Sequence, residues 1–126
     1  MESRKSLAAE NKRCGKYNCA QAVLCAYSDL TGLTEETSKN VAHAFAAGMG
    51  TMEGTCGAIV GAGMVLGMVK KDKSVAMRDM RSVIQMFKER NGSIICKELK
   101  GIETKKVLRD CPDCVADACE FLEKVL

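Results

Sequence analysis

The sequence predicts an all-α fold, a compact bundle of about five to six helices around a glycine-rich central helix, and three observations carry that prediction. Capping residues stand ahead of apolar stripes, the stripes repeat at the helical spacing of three and four residues, and the longest apolar run is rich in glycine and alanine. A chain of 126 residues fits one domain, 1–126, and can bury roughly two-thirds of its unfolded surface, so it needs no disulfide to fold. Nearly half of the residues are hydrophobic, yet there is no tryptophan, while Met (8) and Gly (11) are plentiful. Such a core packs helices closely through small and flexible side chains.

The elements follow in order. Ser3 to Arg13 reads as a polar helix. Asn18 caps a second helix in which Cys19, Val23, Tyr27 and Leu30 share a face, and Thr31-Gly32 ends it. Thr34 precedes Glu35 and Glu36, carboxylates suited to the positive first turn of a helix running through Val41, Ala42 and Phe45. Gly48-Met49-Gly50 stops that helix, and the central helix begins at about Cys56. Its pairs Gly57/Gly61 and Gly63/Gly67 let a neighbouring helix approach backbone to backbone, and a symmetry mate is one candidate, giving a homodimer through this helix. Ser74 caps an amphipathic helix with Val75, Met80, Val83, Ile84 and Phe87 inward, closed by Asn91-Gly92. Ser93 to Leu108 reads as mostly irregular with one short helix. Pro112 suits the first position of a last helix whose stripe is Val115, Ala118, Cys119, Leu122 and Leu126.

Several classes of partner are disfavoured. The formal charge of +3 is spread thinly and lacks interleaved aromatics, which argues against nucleic acid. The apolar run Gly57–Val69 is too short to cross a hydrocarbon layer of ~30 Å unaided, so a buried helix is expected and no membrane span. The N-terminal segment Met1 to Lys5 opens into polar sequence without an apolar core, so a cytoplasmic location with reduced thiols is expected.

The eight cysteines therefore call for a chemical explanation. A cysteine at a helix N-terminus is held as the reactive thiolate by unpaired N–H groups. Cys56 begins the central helix, and Cys111 sits as the cap before Pro112. Cys19 and Cys96 lie at element boundaries. Cys119 falls on an apolar stripe and reads as packing; Cys25 and Cys14 look incidental. Cys111-Pro112-Asp113-Cys114 is a Cys-x-x-Cys, a spacing that serves dithiol chemistry or half of a metal site. It lacks both the βαβ context of the first and the second close pair of the other. His43 is the sole histidine, with packing or surface preferred over ligation. Gly48-x-Gly50-x-x-x-Gly54 as an anion cradle is a weak candidate without a preceding strand or a phosphate-loop lysine, and Glu53 is the only carboxylate near Cys56 in sequence.

The stretch Cys56-Gly57-Ala58-Ile59-Val60-Gly61, together with Asn18-Cys19-Ala20-Gln21-Ala22-Val23, Gly48-Met49-Gly50, Asn91-Gly92-Ser93-Ile94-Ile95-Cys96 and Cys111-Pro112, resembles a family of redox-active proteins named for this core and its three other cysteines. The resemblance implies an all-helical fold and a four-cysteine set at Cys19, Cys56, Cys96 and Cys111. Gly57 and Gly61 of the same core are candidate cofactor-approach positions. A more distant similarity links the chain to the cysteine-bearing domain of split-Soret cytochromes, where four cysteines hold an iron–sulfur centre; no Cys-x-x-Cys-His is present for haem.

Three functions are consistent with this reading. One is a redox-active protein, a thiol–disulfide oxidoreductase or sensor with an unidentified redox partner, in which Cys56 or Cys111 attacks and a neighbour resolves. Another is an iron–sulfur or zinc protein whose ligands are Cys19, Cys56, Cys96 and Cys111, with Cys114 replacing or assisting Cys111. The third is a helical dimerisation module without chemistry. Geometry separates the first two: a single ion needs its sulfurs around one point, whereas redox chemistry needs only pairs.

Overall fold

The computed structural model describes residues 2–126; Met1, the first residue of the polar N-terminal segment, lies outside them. The fold is all-α. Eight α-helices are present among the described residues, more than the five to six expected, because two short ones separate from their neighbours.

Helix α1 (Lys5–Arg13) buries Ala8 and Ala9 against the last helix. Helix α2 (Cys19–Ala26) starts at a reciprocal cap. The Asn18 side chain accepts the Gln21 N–H at 2.8 Å, and the Gln21 side chain accepts the Asn18 N–H at 2.9 Å, so two otherwise orphaned donors are satisfied. The single helix expected through Leu30 breaks at Tyr27, whose N–H turns back to Leu24 and whose ring is fully buried with its hydroxyl donating to Glu123 at 2.6 Å. The remainder is α3 (Ser28–Thr31), and Leu30 lies on the surface at 39% exposure instead of in the stripe. Helix α4 (Glu35–Ala42) is capped by Thr34 as expected but ends before Phe45, and Val41 is exposed; Ala42 and Ser38 face inward.

Between α4 and α5 the chain makes an irregular wide turn, Gly48–Met52. Ala47, Met49 and Met52 adopt left-handed φ values of 51°, 64° and 66°, an uncommon conformation for side-chain-bearing residues. Helix α5 (Gly57–Lys70) is the buried central helix. Its Gly57/Gly61 pair is occupied by the chain itself. A Cβ on Gly61 would lie 2.8 Å from the Ala20 carbonyl oxygen, and one on Gly57 3.0 Å from Ala46 Cα, so these glycines bring α2 and the Phe45–Ala46 segment onto α5. Gly63 faces the Met80 sulfur and Gly67 faces open space.

Helix α6 (Lys73–Asn91) is capped by Asp72 and not by Ser74: the Asp72 carboxylate accepts the Val75 N–H at 3.1 Å. Asp, Asn and Ser are comparably good caps, and here Lys71 with φ 60° ends α5 immediately before Asp72, so the earlier residue takes the role. Val83 and Phe87 enter the core, while Val75, Met80 and Ile84 are half-buried. Helix α7 (Cys96–Lys100) is the short helix foreseen in the irregular stretch, ended by Gly101 at φ 69°. Helix α8 (Cys111–Val125) is capped by Asp110, which accepts the Asp113 N–H at 3.0 Å; Cys111 is thus the first helical residue and Pro112 the second, one position later than expected. Pro112 still lies in the first turn, where no N–H is missed.

Helices α1, α5 and α6 all pack against α8, and α2 packs against α5 and α4. Leu24, Tyr27, Ile59, Leu66, Phe87, Leu99 and Leu122 are its largest fully buried side chains, each contributing roughly 1.5–3 kcal/mol through burial. No described helix is long and apolar enough to cross a membrane.

Candidate functional site: a cavity lined by five cysteines

Four cysteines open four helices, and the bundle turns those four helix starts toward one another. Cys19 is the first residue of α2, Cys56 caps α5, Cys96 is the first residue of α7 and Cys111 the first of α8. Three of these helices, with eight, fourteen and fifteen residues, are long enough to carry a useful positive end. Cys19, Cys56, Cys96, Cys111 and Cys114 line a single cavity of about 10 Å³, which is space for one water molecule. Gly57, Lys100 and Arg109 complete much of its wall.

Local backbone bonding explains the convergence. Thr55 and Ile95 form an isolated antiparallel bridge; the Cys56 N–H donates to the Ile94 carbonyl at 2.7 Å, and the Cys96 N–H donates to the Gly54 carbonyl at 3.0 Å. Two segments forty residues apart in sequence are therefore clamped side by side. Gly48 closes this corner, since a Cβ there would stand 2.7 Å from Cys96 Cβ. Gly57 lets the Phe45–Ala46 backbone and Cys19 approach, with Cys19 Cβ 3.3 Å from where a Gly57 side chain would start.

Within the cavity the thiols form two pairs and one remainder. Cys19 and Cys111 set each other's protonation, as do Cys56 and Cys114. In the first pair the proton belongs to Cys19. Its S–H, the Lys100 ammonium and the charge of Lys12 outweigh burial and push the Cys111 thiol down to about 5, while Cys19 is pushed up. In the second pair the Cys114 S–H and the N–H groups of Ala58 and Ile59 lower Cys56 against the cost of burial, and Cys114 is raised. The Cys114 S–H donates to the Arg109 carbonyl at 3.8 Å. Cys96 is raised by burial and points its S–H at the Met52 thioether at 3.8 Å.

Two basic residues line the site, and neither was singled out from the sequence. Lys100 is half-buried on the cavity wall, where burial works to lower its pKa and Cys111 and its neighbouring thiols raise it, with a net shift upward. Lys97, one turn earlier, instead reaches Glu53 and Glu103 at 3.9 and 3.3 Å. Arg109 is held from behind by Asp117, which is buried and accepts from Arg109 Nε at 2.9 Å, Arg109 Nη2 at 3.2 Å, Arg90 Nη1 at 3.0 Å and Asn91 Nδ2 at 3.1 Å. Three donor residues on one carboxylate tie α6, α8 and the loop before α8 into one unit. Lysine and arginine are frequent on surfaces, so nothing in their spacing marks these two.

The remaining candidates lie elsewhere. Gly61 sits one turn deeper, beneath Ala20 and Val23, where it serves the α2–α5 crossing and not the cavity. Gly48 and Gly54 bond to each other, Gly54 N–H to Gly48 carbonyl at 3.0 Å, in place of cradling an anion. Glu53 is exposed on Lys97, and His43 is exposed with Nδ1 3.3 Å from Gln21 Nε2. Cys119 is fully buried; burial pushes its thiol up to about 12 despite the Tyr27 hydroxyl, as suits a packing residue. Cys25 is half-buried and Cys14 exposed, away from the cavity.

Fold and site together define a small all-α protein organised around a cluster of thiols. The chain belongs to the C_GCAxxG_C_C family, described as "Putative redox-active protein", which it matches over residues 17–125. No curated protein and no solved structure matches it.

Proposed function

We propose that this cavity is a dithiol–disulfide redox centre in which Cys111 attacks and Cys19 resolves. The observation that carries the reading is the convergence of Cys19 and Cys111 on one cavity, with Lys100 on its wall and Cys111 at the N-terminus of α8. The Cys111 thiolate attacks one atom of a weak bond in a two-electron oxidant; a sulfur bond forms, and the leaving group departs with the bonding pair and takes up a proton. Cys19 then attacks the Cys111 sulfur, its proton follows the second leaving group, and a Cys19–Cys111 disulfide remains. Two electrons have passed to the oxidant, and a small dithiol reductant reverses the sequence. A low-pKa thiolate beside a resolving thiol is the arrangement that such chemistry uses. Cys56 and Cys114 supply a second pair of the same kind, and a reducing cytoplasm suits a chain that folds without disulfides.

The test is disulfide mapping by mass spectrometry after brief treatment with diamide. The expected product is Cys19–Cys111; exclusive pairing of Cys111 with Cys114 would assign the chemistry to the Cys-x-x-Cys instead.

A second reading, an iron–sulfur or zinc centre, is supported by the sulfur-only donor set. Cys19, Cys56, Cys96 and Cys111, with Cys114 as a fifth donor, would hold the group, which would supply one-electron transfer as a cluster or structural cross-linking as zinc. Among the described residues, no three His, Cys, Asp or Glu side chains stand together as a single ion requires. Paired thiols favour the dithiol reading. Iron and sulfide content of protein purified without oxygen separates the two: stoichiometric amounts abolished by Cys56→Ser would establish a cluster, whereas colourless protein with fast-reacting thiols supports the redox pair.

A further inference from the structure

We propose that Cys96 and Met52 form a site for Cu(I), joining a thiol and a thioether across the corner where the wide turn Gly48–Met52 meets the start of α7. Cys96 is the cavity thiol that the two pairs leave over, so this site stands or falls separately from the dithiol reading. Its S–H donates to the Met52 Sδ at 3.8 Å. Bonds near ~2.3 Å, the length thiolates make to zinc, let two sulfurs share one ion at separations up to about 4.6 Å, and the Cys96–Met52 separation falls inside that span. Backbone contacts hold both residues. The Cys96 N–H donates to the Gly54 carbonyl at 3.0 Å, and Met52, at φ 66°, donates its N–H to the Ala47 carbonyl at 2.9 Å. Cys96 is 5% exposed and Met52 half-buried, so the thioether forms the open edge of the pair.

The donor set selects the metal. Zinc takes thiolate, imidazole or carboxylate, whereas a thioether joined to a thiolate is a soft pair that suits Cu(I). Zinc sites and iron–sulfur clusters also call for more ligands, and among the described residues no three His, Cys, Asp or Glu side chains stand together. Cu(I) is satisfied by as few as two soft donors. No carboxylate or imidazole lines the cavity among the described residues, and Glu53, next to Met52 in sequence, turns its carboxylate to Lys97 at 3.9 Å. Cys56 is placed as a further sulfur donor, because the Thr55–Ile95 bridge sets Cys56 and Cys96 each one residue beyond it and both line the cavity. On binding, the Cys96 S–H bond breaks and its proton passes to solvent, while bonds form from the thiolate and the thioether to the ion. Copper stays Cu(I), and one proton is released for each ion bound.

The experiment titrates the reduced full chain, under nitrogen, into Cu(I) held by the chromophoric chelator bicinchoninate, and reads the copper withdrawn from the loss of chelator absorbance. The wild type is expected to withdraw one equivalent. Met52→Leu is expected to weaken that binding roughly tenfold or more, and Cys96→Ser at least as much, while Cys14→Ser binds as the wild type does. Zinc, titrated in the same way against a zinc-sensitive dye, is expected to bind Met52→Leu and wild type alike, because the thioether is not a zinc ligand. Withdrawal of no copper by the wild type would overturn the site. Full binding by Met52→Leu together with loss in Cys19→Ser would also overturn it and place the ion on the paired thiols. Should Cys96→Ser not fold, Met52→Leu carries the test alone, since it keeps the side-chain volume and every cysteine. The diamide mapping of Cys19 and Cys111 bears on the dithiol centre only, so the two readings fail separately.

Discussion

At the scale of single residues, the site depends on one proton per thiol pair. Cys19 and Lys100 both lower the Cys111 thiol, and both contributions oppose the cost of burial. Alkylation of Cys111 by iodoacetamide should therefore be flat from pH 7 to 9 and fall as the pH drops through about 5, where the thiolate gains a proton. A midpoint near the ordinary thiol value of 9.0 would contradict the arrangement. Lys100→Met removes a stabilising cation, so it should move the midpoint upward, read directly from thiolate absorbance. Asp117 carries a different burden, because one buried carboxylate satisfies Arg109, Arg90 and Asn91. Asp117→Ala should destabilise the fold on the order of 2 kcal/mol or more, moderated because both arginines can rehydrate, and urea denaturation measures it.

At the scale of elements, caps and glycines decide where helices begin and how near they come. Asp72→Ala should cost about 1 kcal/mol and Ser74→Ala less than about 0.5 kcal/mol, because Asp72 alone accepts the Val75 N–H; thermal melting of the two variants distinguishes them. The central helix offers a sharper contrast. Gly61→Val would press on the Ala20 carbonyl and should cost at least about 1–3 kcal/mol, whereas Gly67→Ala meets nothing within 4 Å and should stabilise the helix by roughly 0.5–1 kcal/mol. If Gly67 were instead the seam of a homodimer, the alanine variant would weaken association, and size-exclusion chromatography of both variants reads that outcome.

At the scale of the whole molecule, the function is a property of convergence. Helix starts at residues 19, 56, 96 and 111 meet only because α2 crosses α5 at Gly61, the Thr55–Ile95 bridge clamps two distant segments, and Asp117 ties α6 to α8. None of Gly61, Thr55, Ile95 and Asp117 lines the cavity. Substitutions that leave every cysteine in place should therefore change thiol reactivity: Gly48→Ala, which drives a Cβ against Cys96 Cβ from a backbone with φ 60°, should shift Cys56 and Cys96 labelling. Unchanged labelling in a folded Gly48→Ala protein would show that the corner is looser than drawn.

The sequence by itself determined most of the helices and the placing of cysteines at their starts. Caps such as Asn18 and Thr34, the Gly57/Gly61 pair and the placing of cysteines at helix starts are local signals, because a helix end is specified within a turn or two. The motif names four cysteines that the fold brings to one cavity, together with Cys114. What only the tertiary structure decided is which thiol faces which. Cys111 and Cys114 look like one pair in sequence, yet each finds its partner in another helix, Cys19 and Cys56. Lys100, Arg109 and Asp117 join the site through contacts between elements that no periodicity reports. Tyr27 likewise ends α2 because its hydroxyl finds Glu123 across the core, 96 residues away. Propensity acts over a turn of helix, whereas pairing, burial and charge depend on side chains that the chain brings together only once it has folded.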